Sequence, residues 1–226
     1  SQEKWRINNN GIINANGTAD QPVYFTSYRD DSVGNDVTAG SSTPQKADWR
    51  YIYMDGRQGA STGTFNYTTF RYGGSDNSYP MWIGYHNDQS PQRVRPVFRN
   101  CTFENNSVGG IYLIRADILV ENITLKNNFG PAFYLLYAGN YNCDIEFLGD
   151  NNFAYNNGYN AIILYYDGWN GWQYFNRTLY NDLPYIIANP SEVNRTGMNI
   201  YSDITVNIES GAIIKTNMYI NAYGTM

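Results

Sequence analysis

The feature that most constrains how this chain can fold is a short sequence that occurs near both of its ends. Residues 13–18 read Ile-Asn-Ala-Asn-Gly-Thr, and residues 220–225 read Ile-Asn-Ala-Tyr-Gly-Thr, 207 residues later. Recurrence at a fixed spacing is typical of repeat architectures, in which similar units stack on one another. The chain therefore reads as one period of a longer repeating structure.

The residues around this repeated sequence extend the match. Residues 1–19 and 208–226 are predicted to form matching ends, so that the last part of one copy is shaped to be continued by the first part of another. The apolar side chains expected to mediate this self-association are Ile7, Ile12, Ile13, Ile214, Tyr219 and Ile220.

A second pattern runs through the middle of the chain, where an apolar anchor recurs and, in three of four cases, an asparagine pair follows it. The anchors fall 33, 22 and 28 residues apart, at Phe70, Phe103, Leu125 and Phe153. Short apolar runs follow each asparagine pair, and helical periodicity is weak throughout. Turns of 22 or more residues with two or three short strands each predict an all-β, right-handed parallel β-helix, a solenoid whose stacked turns bury one continuous core.

The same spacing predicts which polar residues become neighbours. Asparagines at matching corners are expected to hydrogen-bond between turns, Asn105 with Asn127 and Asn106 with Asn128. Glu104 aligns with Lys126 and Arg99 with Glu121, as ladder ion pairs. We expect one domain over residues 1–226, with a long loop at about 28–47 and a possible inserted loop at 75–92.

Composition excludes several classes of function. The chain has 15 Lys and Arg against 20 Asp and Glu, a net charge of −5, which argues against nucleic-acid binding. No stretch approaches the roughly 20 apolar residues of a membrane-spanning helix. Two cysteines, Cys101 and Cys143, are too few for a disulfide scaffold, and their pairing is left open.

The asparagine-containing sequons favour an extracellular location. Seven Asn-x-Ser/Thr sequons occur, which favours an extracellular or cell-surface glycoprotein. The candidate glycosylation sites are Asn16, Asn66, Asn100, Asn105, Asn122, Asn176 and Asn194.

The chain also resembles a known family, the right-handed parallel β-helix repeats of large bacterial and archaeal extracellular surface proteins. The resemblance is carried by Gly17-Thr18 followed by Pro-Val-Tyr-Phe-Thr-Ser at 22–27, then by the Asp-Trp at 48–49 and later by the segment 204–211. Ser210 departs from the pattern, because the family often has proline there. The resemblance implies the fold over nearly the whole chain and says little about function, because such folds serve adhesins, surface layers and polysaccharide enzymes.

Residues for catalysis and metal binding give weaker patterns. Asp144, Glu146 and Asp150 are the carboxylates considered for sugar hydrolysis or elimination, but the anchor alignment places no two acids opposite each other, so we expect no enzyme activity. Calcium is the one metal considered, at Asp30, Asp31 and Asp36, and this loop lacks the terminal bidentate acid of the twelve-residue calcium loop. No other cofactor is expected.

The function we expect from these observations is structural. The chain would be a subunit or repeat segment of an extracellular filament or surface coat, assembling head to tail by stacking of its ends. Its partner would then be itself, as a non-covalent polymer or as a tandem repeat in a larger protein. The alternatives are an adhesin or carbohydrate-binding module, and a polysaccharide lyase or hydrolase.

Overall fold

The structure is a computed structural model that describes most of the chain. The described residues are 5–7, 10–37, 42–56, 61–85, 94–137, 143–166, 176–188, 198–217 and 219–223. They form strands, turns and connecting loops, and none of them is helical.

The strands are short and follow one another closely along the chain. In the described residues they are β1 Trp5–Ile7, β2 Ile12–Asn16, β3 Val23–Phe25, β4 Ile52–Met54, β5 Thr62–Asn66, β6 Thr68–Arg71, β7 Met81–Gly84, β8 Val97–Arg99, β9 Thr102–Glu104, β10 Ile111–Ile114, β11 Asp117–Glu121, β12 Thr124–Lys126, β13 Pro131–Tyr137, β14 Asp144–Leu148, β15 Phe153–Tyr155, β16 Tyr159–Tyr166, β17 Arg177–Leu179, β18 Tyr185–Ala188, β19 Met198–Ile200, β20 Val206–Ile208, β21 Ile214–Thr216 and β22 Ile220–Ala222.

These strands assemble into three long parallel sheets. Sheet A has eight strands in the order β1-β4-β7-β10-β13-β16-β18-β21, sheet B has the order β2-β5-β8-β11-β14, and sheet C has the order β3-β6-β9-β12-β15. From β1 to β15 the chain visits sheets A, B and C in turn, so each circuit of three strands lies beside the previous one. The pairs β17-β20 and β19-β22 form two further two-stranded sheets.

Side-chain alternation explains why these segments are strands. In β5 and β11 the residues alternate between buried and half-buried positions, as they must where one face of a sheet is packed and the other is not. Since one circuit has too little apolar surface to form a core by itself, burial depends on neighbouring circuits. A single cluster of buried residues accordingly runs from Ala15 to Ile187.

Aromatic side chains stack along the core from circuit to circuit. Phe25, Phe70 and Phe103 lie on neighbouring strands of sheet C, with ring centroids 5.1 Å and 4.5 Å apart. Phe65 and Phe98 stack in the same way at 4.9 Å in sheet B. Four of these rings, those other than Phe25, are fully buried, so the stacks fill the interior at the spacing that parallel strands impose.

A ladder of asparagine side chains lies at the corner that follows sheet C. Asn106 and Asn128 are buried, and the Nδ2 of Asn106 donates to the Oδ1 of Asn128 at 2.9 Å. The Nδ2 of Asn128 donates in turn to the Oδ1 of Asn157 at 2.9 Å. The preceding residues, Asn105 and Asn127, have φ near +55°, a left-handed conformation that asparagine tolerates better than most residues. The predicted asparagine pairing is therefore confirmed for Asn106 and Asn128.

The predicted anchors agree with the observed register over three circuits and fail at the fourth. Phe70, Phe103 and Leu125 are aligned in sheet C, but the next residue in that row is Ala154. Phe153 is paired with Thr124 instead, and half of its surface is exposed. Because strand side chains alternate between faces, a register one residue away from the predicted one turns the phenylalanine outward.

The inserted loop predicted at 75–92 is also corrected by the structure. Residues 81–84 form β7, which lies between β4 and β10 in sheet A. Met81 and Ile83 are fully buried, while Trp82 lies on the opposite face. The alternation of Met-Trp-Ile produces a sheet strand where the unequal spacing of the anchors suggested an inserted loop.

Two predicted ion pairs are confirmed, and the two cysteines do not form a disulfide with each other. Lys126 contacts Glu104 at 3.1 Å, and Arg99 contacts Glu121 at 3.0 Å, in each case between aligned positions on neighbouring strands. The side chains of Cys101 and Cys143 are both buried. Burial raises the pKa of each thiol to about 12, so both remain protonated at neutral pH.

Candidate functional site

The two ends of sheet A present strand edges that other chains could pair with. In the described part of the chain, β1 is bonded only to β4 and β21 only to β18. Strands β2 and β3 form the outer edges of sheets B and C at the same end as β1. An outer strand has N–H and C=O groups that are not used within its own sheet, so it is a template for a further parallel strand.

The circuit next to β21 has unusually exposed apolar side chains. They are Ile208, Ile213, Tyr219, Ile220 and Tyr223, each with between 43% and 68% of its surface accessible. Strand β22 is exposed along its whole length. Large exposed apolar groups gathered in one region are typical of an interaction surface.

The repeated sequence occupies equivalent places at the two ends. Strand β2 contains Ile13-Asn14-Ala15 and follows β1, while β22 contains Ile220-Asn221-Ala222 and follows β21. Strands β1 and β21 are the two outermost strands of sheet A. The sequence match therefore coincides with a structural match, since each copy is the first strand after an edge of sheet A.

The six residues predicted for self-association divide into two groups. Ile7, Ile13 and Ile214 are half-buried and pack against the core. Ile12, Tyr219 and Ile220 are exposed, with 67%, 68% and 43% of their surfaces accessible. The first group supports the terminal circuits from inside, and the second is placed to contact another chain.

The glycosylation candidates differ in their accessibility. Asn16 and Asn176 are exposed, although the Oδ1 of Asn176 accepts a hydrogen bond from the backbone N–H of Thr205 at 2.8 Å. Four others, Asn66, Asn100, Asn105 and Asn122, are half-buried. The Nδ2 of Asn122, the atom that a glycan would modify, donates to the Oδ1 of Asn100 at 3.0 Å. Asn194 lies outside the described residues.

The loop considered for calcium is organised by an arginine. Asp30 is buried, and its Oδ2 lies 2.5 Å from the Nη2 of Arg71. The hydroxyls of Thr26 and Ser32 also donate to Asp30, while Asp31 and Asp36 are exposed. Within the described residues, no group of three or more His, Cys, Asp or Glu is placed to hold a metal ion. The carboxylate of Asp30 thus anchors the loop to β6.

This arrangement changes the acidity of Asp30. Burial raises its pKa, but the hydrogen bonds from Thr26 and Ser32 and the charge of Arg71 outweigh that effect and lower the pKa below its ordinary value of 3.8. The carboxylate is therefore charged at neutral pH, as the contact with Arg71 requires.

A charged groove lies on the outer face of sheet B, over β8, β11 and β14. Its volume is about 400 Å³, within the range of pockets that hold small ligands. The lining includes the charged side chains Arg95, Asp117, Asp144, Glu146 and Arg177. Arg95 contacts Asp117 at 3.0 Å, and the Nη1 of the buried Arg177 donates to the backbone carbonyl of Cys143 at 3.1 Å. Such a groove can accept and donate hydrogen bonds to a polar ligand.

Two acids in this groove are aligned in a way that the sequence analysis missed. Asp117 and Asp144 are directly paired between β11 and β14. The recurring Asp-Ile at 117–118 and 144–145 was the available signal, but it falls outside the anchor pattern used for alignment. Glu146 lies two residues after Asp144 and so on the same face, whereas Asp150 is in the turn after β14 and does not line the groove.

The acids affect a neighbouring tyrosine. Burial raises the pKa of Tyr180, and the negative charges of Asp144 and Glu146 raise it further. The groove itself is lined by the acids Asp117, Asp144 and Glu146 and by the bases Arg95 and Arg177.

Comparison of the chain with family models, curated proteins and solved structures gives no match. The described segments include no helix that has the length and apolar character needed to cross a membrane. The geometry of the sheet edges and of the groove is therefore the basis for a functional proposal.

Proposed function

We propose that this chain is a right-handed parallel β-helix that acts as a structural subunit or repeat segment of an extracellular filament or surface coat, with copies stacked head to tail. The three parallel sheets and the regular visit to each in turn support the β-helix. The sequons and the sparse charge support an extracellular location.

The observation that carries the structural role is the equivalence of the two ends. A strand edge with the same sequence and the same place in the circuit occurs at each end, and apolar side chains are exposed beside β22. A head-to-tail contact buries different surfaces on its two partners and so extends as an open fibre whenever its rotation does not close a ring.

The length of the axial repeat distinguishes the two forms of this proposal. Stacking complete copies non-covalently adds eight strands of sheet A per subunit, or roughly 38 Å at about 4.8 Å per strand. In a tandem protein with the 207-residue period, β21 takes the place of the next β1. Seven strands then remain per period, giving roughly 34 Å. Helical reconstruction of filaments from native material measures this distance.

The charged groove favours a second candidate function, a carbohydrate-binding module. Carboxylates and guanidinium groups together recognise the hydroxyls of sugars, and the volume is adequate for a small ligand. We expect the double variant Asp144→Ala/Glu146→Ala to lose at least tenfold in affinity for any glycan that the wild type binds on an array. Asp150→Ala is the matched control because that acid is exposed outside the groove. Equal binding by the double variant and the wild type would remove this candidate.

A further inference from the structure

The repeated tripeptide Ile-Asn-Ala has the same orientation at both ends. In β2, Ala15 is buried, Ile13 is half-buried, and Asn14 is exposed on the outer face. In β22, Ala222 is paired with Ile200, which packs against the core, so Ala222 is on the inner side and Asn221 on the outer side. Corresponding residues of the two copies thus lie on corresponding faces.

The outer face next to β22 already contains one step of an asparagine ladder. The Nδ2 of Asn221 donates to the Oδ1 of Asn199 at 3.1 Å, between aligned positions of β22 and β19. Asn221 is itself exposed. It occupies the same position in the repeated tripeptide as Asn14. In-register stacking of identical parallel segments allows such amide ladders to continue from one chain to the next.

We propose, on the basis of the head-to-tail function above, that β22 of one copy pairs in register with β2 of the next, so that Asn14 extends the ladder of Asn199 and Asn221. The partner at this surface is a second copy of the same chain. Ile220 is then aligned with Ile13 and Ala222 with Ala15, which places the apolar residues of both copies on the inner side.

The joint must also allow β21 to meet the next β1, and the corner between sheets A and B makes this feasible. In each circuit, one residue of sheet A is aligned with Trp5 and one residue of sheet B is aligned with Asn14. The number of residues from the first to the second is 9 for 5–14, 16 for 81–97 and 8 for 111–119. The segment 214–221 spans 7. Since this corner already accommodates differences of several residues between circuits, a difference of two between 5–14 and 214–221 does not prevent both strand pairings.

Cysteine cross-linking tests the register of the joint. In the double variant Asn14→Cys/Asn221→Cys, the proposed pairing places the two cysteines on adjacent parallel strands about 4.8 Å apart, within the Cα separation that a disulfide accepts. Cross-linking inside one chain is excluded, because the ends of sheet A are seven strand spacings apart, roughly 34 Å. The two native cysteines are buried and do not compete.

The matched control is Asn14→Cys/Asn199→Cys. Asn199 is one strand further from the joint, so its Cα would be roughly 9.6 Å from residue 14 of the next copy, beyond disulfide range. We expect a ladder of disulfide-linked oligomers on a non-reducing gel for the first pair and monomers for the second. Circular dichroism checks that both variants retain the β structure of the wild type.

Three results are distinguishable. The expected ladder for the first pair alone supports the joint. Filaments that form while the cysteines of the first pair remain free, or that cross-link through the control pair, overturn this register and leave head-to-tail assembly standing. Absence of any assembly in the wild type as well as the variants overturns the non-covalent form of the proposed function and the joint with it.

Discussion

At the scale of the residue, buried asparagine amides join neighbouring circuits at a corner of the mainly apolar interior. Asn128 accepts from the backbone N–H of Asn106 at 3.1 Å, and its Nδ2 donates to the carbonyl of Phe103 at 3.0 Å. Both backbone groups belong to the neighbouring circuit. A buried asparagine thus replaces hydrogen bonds that the chain cannot form where it turns a corner.

Removing the side chain of Asn128 should destabilise the folded state. We expect Asn128→Ala to lower the free energy of unfolding by about 3 kcal/mol, because each buried partner left unsatisfied costs about 1–3 kcal/mol. Chemical denaturation measures the loss. Asn151→Ala, at an exposed position, should change stability by less than about 0.5 kcal/mol. Equal effects of the two substitutions would show that the ladder contributes little.

At the scale of the element, the contact between Asp30 and Arg71 joins the loop after β3 to β6. Its Nε–Oδ2 distance is 2.6 Å, and Arg71 also lies 3.6 Å from Glu104 on β9. The guanidinium of Arg71 therefore joins the long loop after β3 to β6 and β9, two neighbouring strands of sheet C. These side-chain contacts fix the polar loop to sheet C.

The lowered pKa of Asp30 gives this contact a pH dependence. A carboxyl whose pKa is lower in the folded state stabilises the fold above its unfolded pKa, near 3.8, and loses that contribution as the pH falls through the folded pKa. We expect the wild type to lose stability on acidification from about pH 5 to 2 more steeply than Asp30→Asn. The variant should also be less stable at neutral pH.

The control for this titration is Asp20→Asn, since Asp20 is exposed in the turn before β3. Its slope of unfolding free energy against pH should equal that of the wild type. If Asp30→Asn also keeps the wild-type slope, Asp30 does not contribute to acid unfolding.

The strands and part of their register could be predicted from sequence because the underlying signals are local and repeated. Phe103 and Leu125 are each followed by an asparagine pair, and both are aligned with Phe70 in sheet C. Strand β7 was missed because the 33 residues between Phe70 and Phe103, against 22 between Phe103 and Leu125, were interpreted as an inserted loop. The Asp117–Asp144 pair was missed because its register depends on the turn lengths between strands, which side-chain type does not specify.

At the scale of the whole molecule, β1 and β21 are the outer strands of sheet A in the described structure. A fold that adds parallel strands along one axis has no intrinsic limit in length, so its end circuits determine whether it is a monomer or a polymer. Here the end circuits share a tripeptide in the same orientation, and the last circuit exposes apolar side chains. These observations support the proposal that the molecule is a unit of a longer stack.

Cryo-electron microscopy with helical reconstruction of the native assembly tests this account most directly. We predict filaments in which the parallel sheets run continuously through each joint, with an axial repeat of roughly 38 Å for stacked subunits or roughly 34 Å for a tandem period. Discrete monomers whose β1 and β21 edges are covered by their own chain would contradict the account and shift the interpretation to the charged groove of sheet B.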